Sequence, residues 1–297
     1  MAFHVTRLDE QRWTDDQDLP GLRVATLVGA LQGSVHLEVR LCELPAGAAV
    51  PAHRHPFEES FHILEGEARF AVGDLAYELG PGDHGFAPVA VPHAWRNPSG
   101  ARVRWLETRA PQPRRVGGRV GVYPAEGFVW PGLLGRPVET DPRHRWVGHF
   151  SDDDMAPYGP ISMPGYHGPN IRNISIRMEV DQLLGAQQHT LFMVEFAPSA
   201  TEGKAAREHY HPFEEIYFLL GGTALGTLDG TKVRVDAGDL VWVGVNGTHG
   251  FLNDGDEPVR WLEAQAPVPP AANAFFFDDD WSMLGTRPAA GDGDQAT

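Results

Sequence analysis

The chain carries one set of nitrogen and oxygen ligands twice, at a single fixed offset. His53, His55, Glu59 and His93 recur as His209, His211, Glu215 and His249, and 209 − 53 = 156 holds for every pair. Asn97 and Asn253 keep the offset, as do Trp105 and Trp261. Between 51–111 and 207–267 about a third of positions are identical without a gap, as an internal duplication leaves them. Such a chain must fold one unit twice, and 297 residues suffice for two domains of ordinary size.

The units read as all-β. Gly 34 and Pro 25 imply many turns and short strands. Val35, Leu37, Val39 and Leu41 alternate with His36, Glu38, Arg40 and Cys42, a period of two. The first row is expected against packed apolar side chains. The second is expected as an exposed charged face; if it lined a cavity instead, Arg40 could hold a carboxylate. The reading divides the chain into a first domain at 1–115 with a surface arm, a Gly/Pro-rich segment at 116–170, a second domain at 171–285, and a disordered tail at 286–297. The middle segment is too long for a bare loop and is expected as short ordered pieces covering a site mouth. Its His144, His149 and His167 read as ordinary surface or packing histidines.

Bulk properties exclude some partners. A formal net charge of −16 opposes nucleic acid and anionic membrane surfaces. No apolar run approaches the ~20 residues of a membrane helix. The start lacks a signal pattern and the single cysteine, Cys42, fits a reducing compartment, so a cytoplasmic protein is expected. Cys42 reads as a buried inert thiol.

The repeated residues form a metal-ligand set. His53 and His55 are two apart on a strand and share a face. Glu59 keeps that parity if Pro56 and Phe57 introduce no bulge, and His93 arrives from a later strand. Three imidazoles and a carboxylate suit a divalent transition metal (Fe, Mn, Ni, Cu or Zn), one per domain. An octahedral ion would keep two positions open for a small-molecule substrate. Tyr217, on the inward parity after Glu215, is the protic candidate beside the second metal, with a packed core tyrosine as the alternative. Phe61, Ile63 and Leu219 share that parity. Trp95, Phe251, Phe86 and Trp242 read as core or pocket wall. Glu58 and Glu214 point away and read as solvated or salt-bridged, and His62 also points away.

The first copy reads Gly47-x5-His53-x-His55-x3-Glu59-x6-Gly66, then Gly82-x5-Pro88-x-Ala90-x2-His93-x3-Asn97. The second reads Gly203-x5-His209-x-His211-x3-Glu215-x6-Gly222, then Gly238-x5-Gly244-x-Asn246-x2-His249-x3-Asn253. Both resemble the paired motifs of the cupin superfamily. Ala90 and Asn246 stand where the pattern has glycine, and Gly244 where it has proline. The resemblance implies a bicupin: two jelly-roll, double-stranded β-helix barrels, commonly paired as a homodimer. The ligand set is similar to that of quercetinase-type enzymes. It implies a metal-dependent oxidoreductase, a dioxygenase on a small aromatic, enol or diketone substrate. The alternative is a redox-neutral bicupin enzyme: an isomerase, a decarboxylase, or a hydrolase of a ureido or amino acid similar to ureidoglycine aminohydrolase. A third reading is a non-enzymatic metal-binding cupin.

Overall fold

The computed structural model describes residues 2–114, 121–159, 161–163, 165–168, 170–199, 205–270 and 274–277. The expected tail at 286–297 lies outside the described residues. Among the described residues there is no α-helix, only strands and short 3-10 turns. The chain forms two β-barrels, each made of two facing sheets.

In the first domain a seven-stranded sheet centres on Glu58–Glu65 and Val103–Ala110, and a five-stranded sheet on Ala49–Arg54 and His93–Arg96. The second domain repeats this with Glu214–Gly221 and Val259–Ala266 in one six-stranded sheet and Ala205–Tyr210 and His249–Leu252 in another. Strict side-chain alternation gives each central strand two apolar destinations. Phe61 and Ile63 point into the first barrel with Phe70, Trp95 and Trp105. Tyr217 and Leu219 point into the second with Phe251 and Trp261. The opposite faces of the seven-stranded sheet and of the six-stranded sheet holding Glu214–Gly221 meet each other. Leu37, Val39, Leu41 and Leu106 pack there against Leu191, Met193, Ile216 and Leu262. Phe86 and Trp242 belong to this core between the domains, so neither walls a pocket.

The His36–Cys42 row is not an exposed charged face: Arg40 is 4% exposed and Cys42 fully buried, because the row turns into the first barrel. Glu58 and Glu214 are buried, which leaves the salt-bridged alternative for Glu58, 3.3 Å from His189, and rules out the solvated one. The N-terminal arm reaches the second domain. Its strand Phe3–Thr6 pairs with Leu240–Val243 of the second domain, on the edge of that sheet.

The described residues of the middle segment form short strands and 3-10 turns. Val147–His149 pairs with Asp83–Ala87 and so does for the first domain what the arm does for the second. The same aspartate anchors both additions: Asp83 accepts from His149 and Arg136, and Asp239 from Arg7 and the Leu8 backbone. His144 is buried against Tyr77. The motif turns keep their backbone despite the substitutions, with Ala90 at φ 62 and Asn246 at φ 61.

Candidate metal centres

Each centre is assembled where the chain crosses from one sheet of its barrel to the other. The strand Ala49–Arg54 stops before His55, and pairing resumes only at Glu58. Pro56 has no N–H to offer a ladder, so the chain turns the corner there. His53 and His55 therefore do not sit on one continuous strand face as expected. His53 lies in the strand, directly opposite His93, while His55 occupies the corner. The second copy repeats this: Ala205–Tyr210 ends before His211, and His209 faces His249. Curvature of the barrel, more than pleat parity, brings the ligands together.

All eight expected ligands are buried. Every one of the six imidazoles is oriented in the same way. Nδ1 of His53, His55 and His93 contacts the carbonyls of Pro51, Phe57 and Val91; those of His209, His211 and His249 contact Arg207, Phe213 and Gly247. A carbonyl can only accept, so Nδ1 carries a proton and Nε2 is the atom turned toward the centre. Holding the outer nitrogen in this way is how ligating histidines are oriented. In the first centre Nε2 of His53, His55 and His93 is buried without a hydrogen-bond partner. Burial holds the His93 and His209 imidazoles well below their usual range, and the neighbouring histidines lower them further. Buried imidazoles whose ligand atoms converge fit a transition metal. Each domain thus contains a buried, histidine-rich group able to bind one.

The sequence did not reveal the stacking of Phe57 on His55 at 4.0 Å and of Phe213 on His211 at 3.9 Å, both with rings nearly parallel. The identical HPFEE in both copies was the available signal.

The carboxylates differ. In the second centre Glu215 Oε2 is 2.8 Å from His211 Nε2 and 3.1 Å from His249 Nε2. Burial opposes its ionisation, yet the adjacent histidines hold it well below the usual carboxylate range. The Tyr217 hydroxyl donates to the same oxygen, and Gln265 donates to the other. In the first centre Glu59 stands farther away, 3.5 Å from His55 Nε2 and 3.8 Å from His93 Nε2. Its Oε2 lies 3.2 Å from the Arg109 guanidinium, which occupies the position of Gln265.

The cavities differ in the same sense. Beside the first centre lies a polar cavity lined by Asp15, Asp16, Glu38, Arg40 and Arg109 and by none of the expected ligands. Arg40 bonds Glu107 at 2.5 Å and Asp16 at 2.6 Å, and Cys42 Sγ is 3.3 Å from Glu107, with its thiol pushed well up by burial. The second, about 360 Å³, is apolar: Ile161, Met163, Ile174, Val194, Phe251 and Phe275 surround Glu215, Tyr217 and Glu263. Burial, and then Glu215, raises the Tyr217 phenol and the Glu263 carboxyl well above their ordinary values. Ile161 and Met163 come from the middle segment, which therefore helps wall the second centre.

A family model described as "Cupin domain" matches residues 40–109 and 192–264. The dimethylsulfoniopropionate lyase DddQ of Ruegeria pomeroyi is 49% identical over 72 residues, 22% of this chain and 36% of that protein. The tetracenomycin polyketide synthase protein TcmJ of Streptomyces glaucescens is 31% identical over 98 residues, 33% of this chain and 63% of that protein. The chain thus spans less than two thirds of the length of either curated relative. Oxalate decarboxylase of Lactobacillus farciminis, solved as a formate complex, superposes with a TM-score of 0.62 at 16% identity, over 96% of this chain and 90% of that one.

Proposed function

On the premise that the chain belongs to the cupin superfamily as a bicupin, we propose a metal-dependent enzyme of redox-neutral, lyase-type chemistry, working at the second centre on a small carboxylic acid. One observation carries the reading. The Tyr217 hydroxyl bonds the Glu215 oxygen that also faces His211 and His249, so a proton donor sits at the edge of the ligand set.

A transition metal held by His209, His211, Glu215 and His249 would supply a Lewis acid that polarises a substrate carbonyl or carboxylate. The remaining work falls to side chains of this chain. The phenol, protonated at neutral pH, gives its proton or a hydrogen bond to a substrate oxygen or carbanion next to the ligands. Gln265 holds the other oxygen of Glu215 from the far side, so the carboxylate stays in place when the hydroxyl turns from it toward substrate. The apolar wall excludes water and selects a substrate with a short hydrocarbon part. Two similar proteins support the class, one named a lyase and one a decarboxylase. None of the three similar proteins is named an oxygenase, so the dioxygenase reading keeps only the ligand set behind it.

The test is turnover without oxygen. Metal-reconstituted protein is given a panel of thioether-substituted propionates, 2-oxo acids and dicarboxylic acids under anaerobic conditions. Release of carbon dioxide or an alkenoic acid supports the proposal. Oxygen uptake in step with substrate loss, and no anaerobic turnover, would replace it with the dioxygenase.

A further inference from the structure

We infer that a third metal site, outside both cupin centres, joins the two domains through His62, His84 and Glu179. His62 lies on the face of Glu58–Glu65 that turns away from its barrel, and His84 is its direct cross-strand partner in Asp83–Ala87. Glu179 comes from Ile174–Val180 of the second domain. The three are 4%, 5% and 4% exposed. His62 Nδ1 is 2.9 Å and His84 Nδ1 is 4.0 Å from the same oxygen, Glu179 Oε2. One ligand atom from each residue lies within 4.8 Å of the other two.

The site has more polar atoms than internal hydrogen bonds can use. His84 Nδ1 and the second carboxylate oxygen, Glu179 Oε1, are buried with no hydrogen-bond partner. Leaving buried polar groups unpaired is costly, and two such atoms beside one carboxylate suit a cation held between them. Two imidazoles and a carboxylate are ligands for zinc and its first-row neighbours. The surroundings are shaped for the ring: a Cβ at Gly148 would stand 2.3 Å from His84 Nε2. A groove lined by His62, Met193, Glu195 and Arg260 reaches the histidine side and gives an ion a way in.

The duplication makes the cluster specific. The positions matching His62 and His84 in the second copy are Phe218 and Leu240, both packed in the apolar core between the domains. The histidines thus stand on one side only, where apolar residues serve the repeat. Their ligand partner comes from the other domain, so a bound ion would act as a clip.

Zinc is the probe. The full chain is stripped with chelator, refilled with Zn²⁺, desalted and counted by elemental analysis. Glu179→Gln and His84→Gln are each expected to hold one equivalent fewer than the wild type, with unchanged circular dichroism. Each should also show a smaller zinc-dependent rise in unfolding temperature. A protein altered in both cupin centres, His53→Ala with His209→Ala, should retain the equivalent that Glu179→Gln loses. Wild-type zinc content in both Glu179→Gln and His84→Gln overturns the site and leaves an ordinary buried His–Glu pair. Should Glu179→Gln fail to fold, His84→Gln decides alone.

Discussion

Glu58 and Glu214, equivalent in the two copies, each hold a loop of the opposite domain. Glu58 accepts from the Gln187 and Gln188 backbone N–H groups, both at 2.9 Å. Glu214 accepts from Val35 at 2.8 Å and from His36 and Leu37 at 3.1 and 3.2 Å, with the Ser34 hydroxyl at 2.6 Å. The domains are thereby locked by a reciprocal pair of carboxylates, which explains why the HPFEE run has two glutamates and only the second faces the ligands. Replacing either with glutamine should lower stability by about 1–3 kcal/mol, since buried N–H groups lose their acceptor. Glu214→Gln should cost more, because it serves more donors. Urea unfolding midpoints measure this; a midpoint unchanged in both variants would contradict it.

Arg109 should weaken metal binding at the first centre. A buried guanidinium draws Glu59 aside and adds positive charge beside a cation site, where repulsion at an effective dielectric of ~20 amounts to a few kcal/mol. Arg109→Gln, which copies Gln265, is expected to tighten metal there by roughly tenfold or more. Chelator competition on wild type and variant gives the comparison. Equal affinities would mean that Glu107, 2.7 Å from Arg109, already cancels its charge.

Tyr217→Phe should abolish most turnover and leave the metal in place. The change removes one hydroxyl from an otherwise unchanged apolar wall. A positioned proton donor is worth about 10²–10⁴-fold. Metal content and kcat are measured on the same sample. Loss of metal along with activity would assign the tyrosine to holding Glu215 instead.

Ala90→Gly should stabilise the protein. Ala90 sits at φ 62, and its N–H donates to His55 O at 2.9 Å, so the turn cannot relax without disturbing the first centre. An L-residue in the left-handed region costs about 1–2 kcal/mol, part of which glycine's extra freedom when unfolded takes back. A net gain of up to about 1 kcal/mol is expected in thermal unfolding.

Asp16 should contribute to the acid limit of stability. Burial opposes its ionisation, but Arg40 and Arg109 outweigh that and hold the carboxyl below its ordinary 3.8. A depressed folded value means that the contribution is complete above the unfolded value and fades as pH falls through the folded one. Asp16→Asn should therefore be less stable near neutrality, and its stability should fall less between pH 5 and 2. Parallel wild-type and variant curves over that range would exclude the effect.

The cupin-like motifs implied the two barrels, and the residues themselves showed the duplication, the all-β class, the eight candidate ligands and the inward direction of Phe61, Ile63 and Tyr217. These follow from local facts: a fixed offset, a period of two, and residue types that only metal chemistry uses together. Tertiary structure decided whatever depends on which surface a face meets. Alternation showed that Arg40 and Val39 point in opposite directions. It could not say that the apolar side would meet a second barrel, leaving the charged side to line a cavity. Nor could it show Arg109 reaching Glu59, since register between distant strands sets that contact. The arm strand at Phe3–Thr6 and the His62–Glu179 pair join opposite domains for the same reason. Such contacts are created when each of two folded units buries one sheet against the other, and no local pattern encodes that choice.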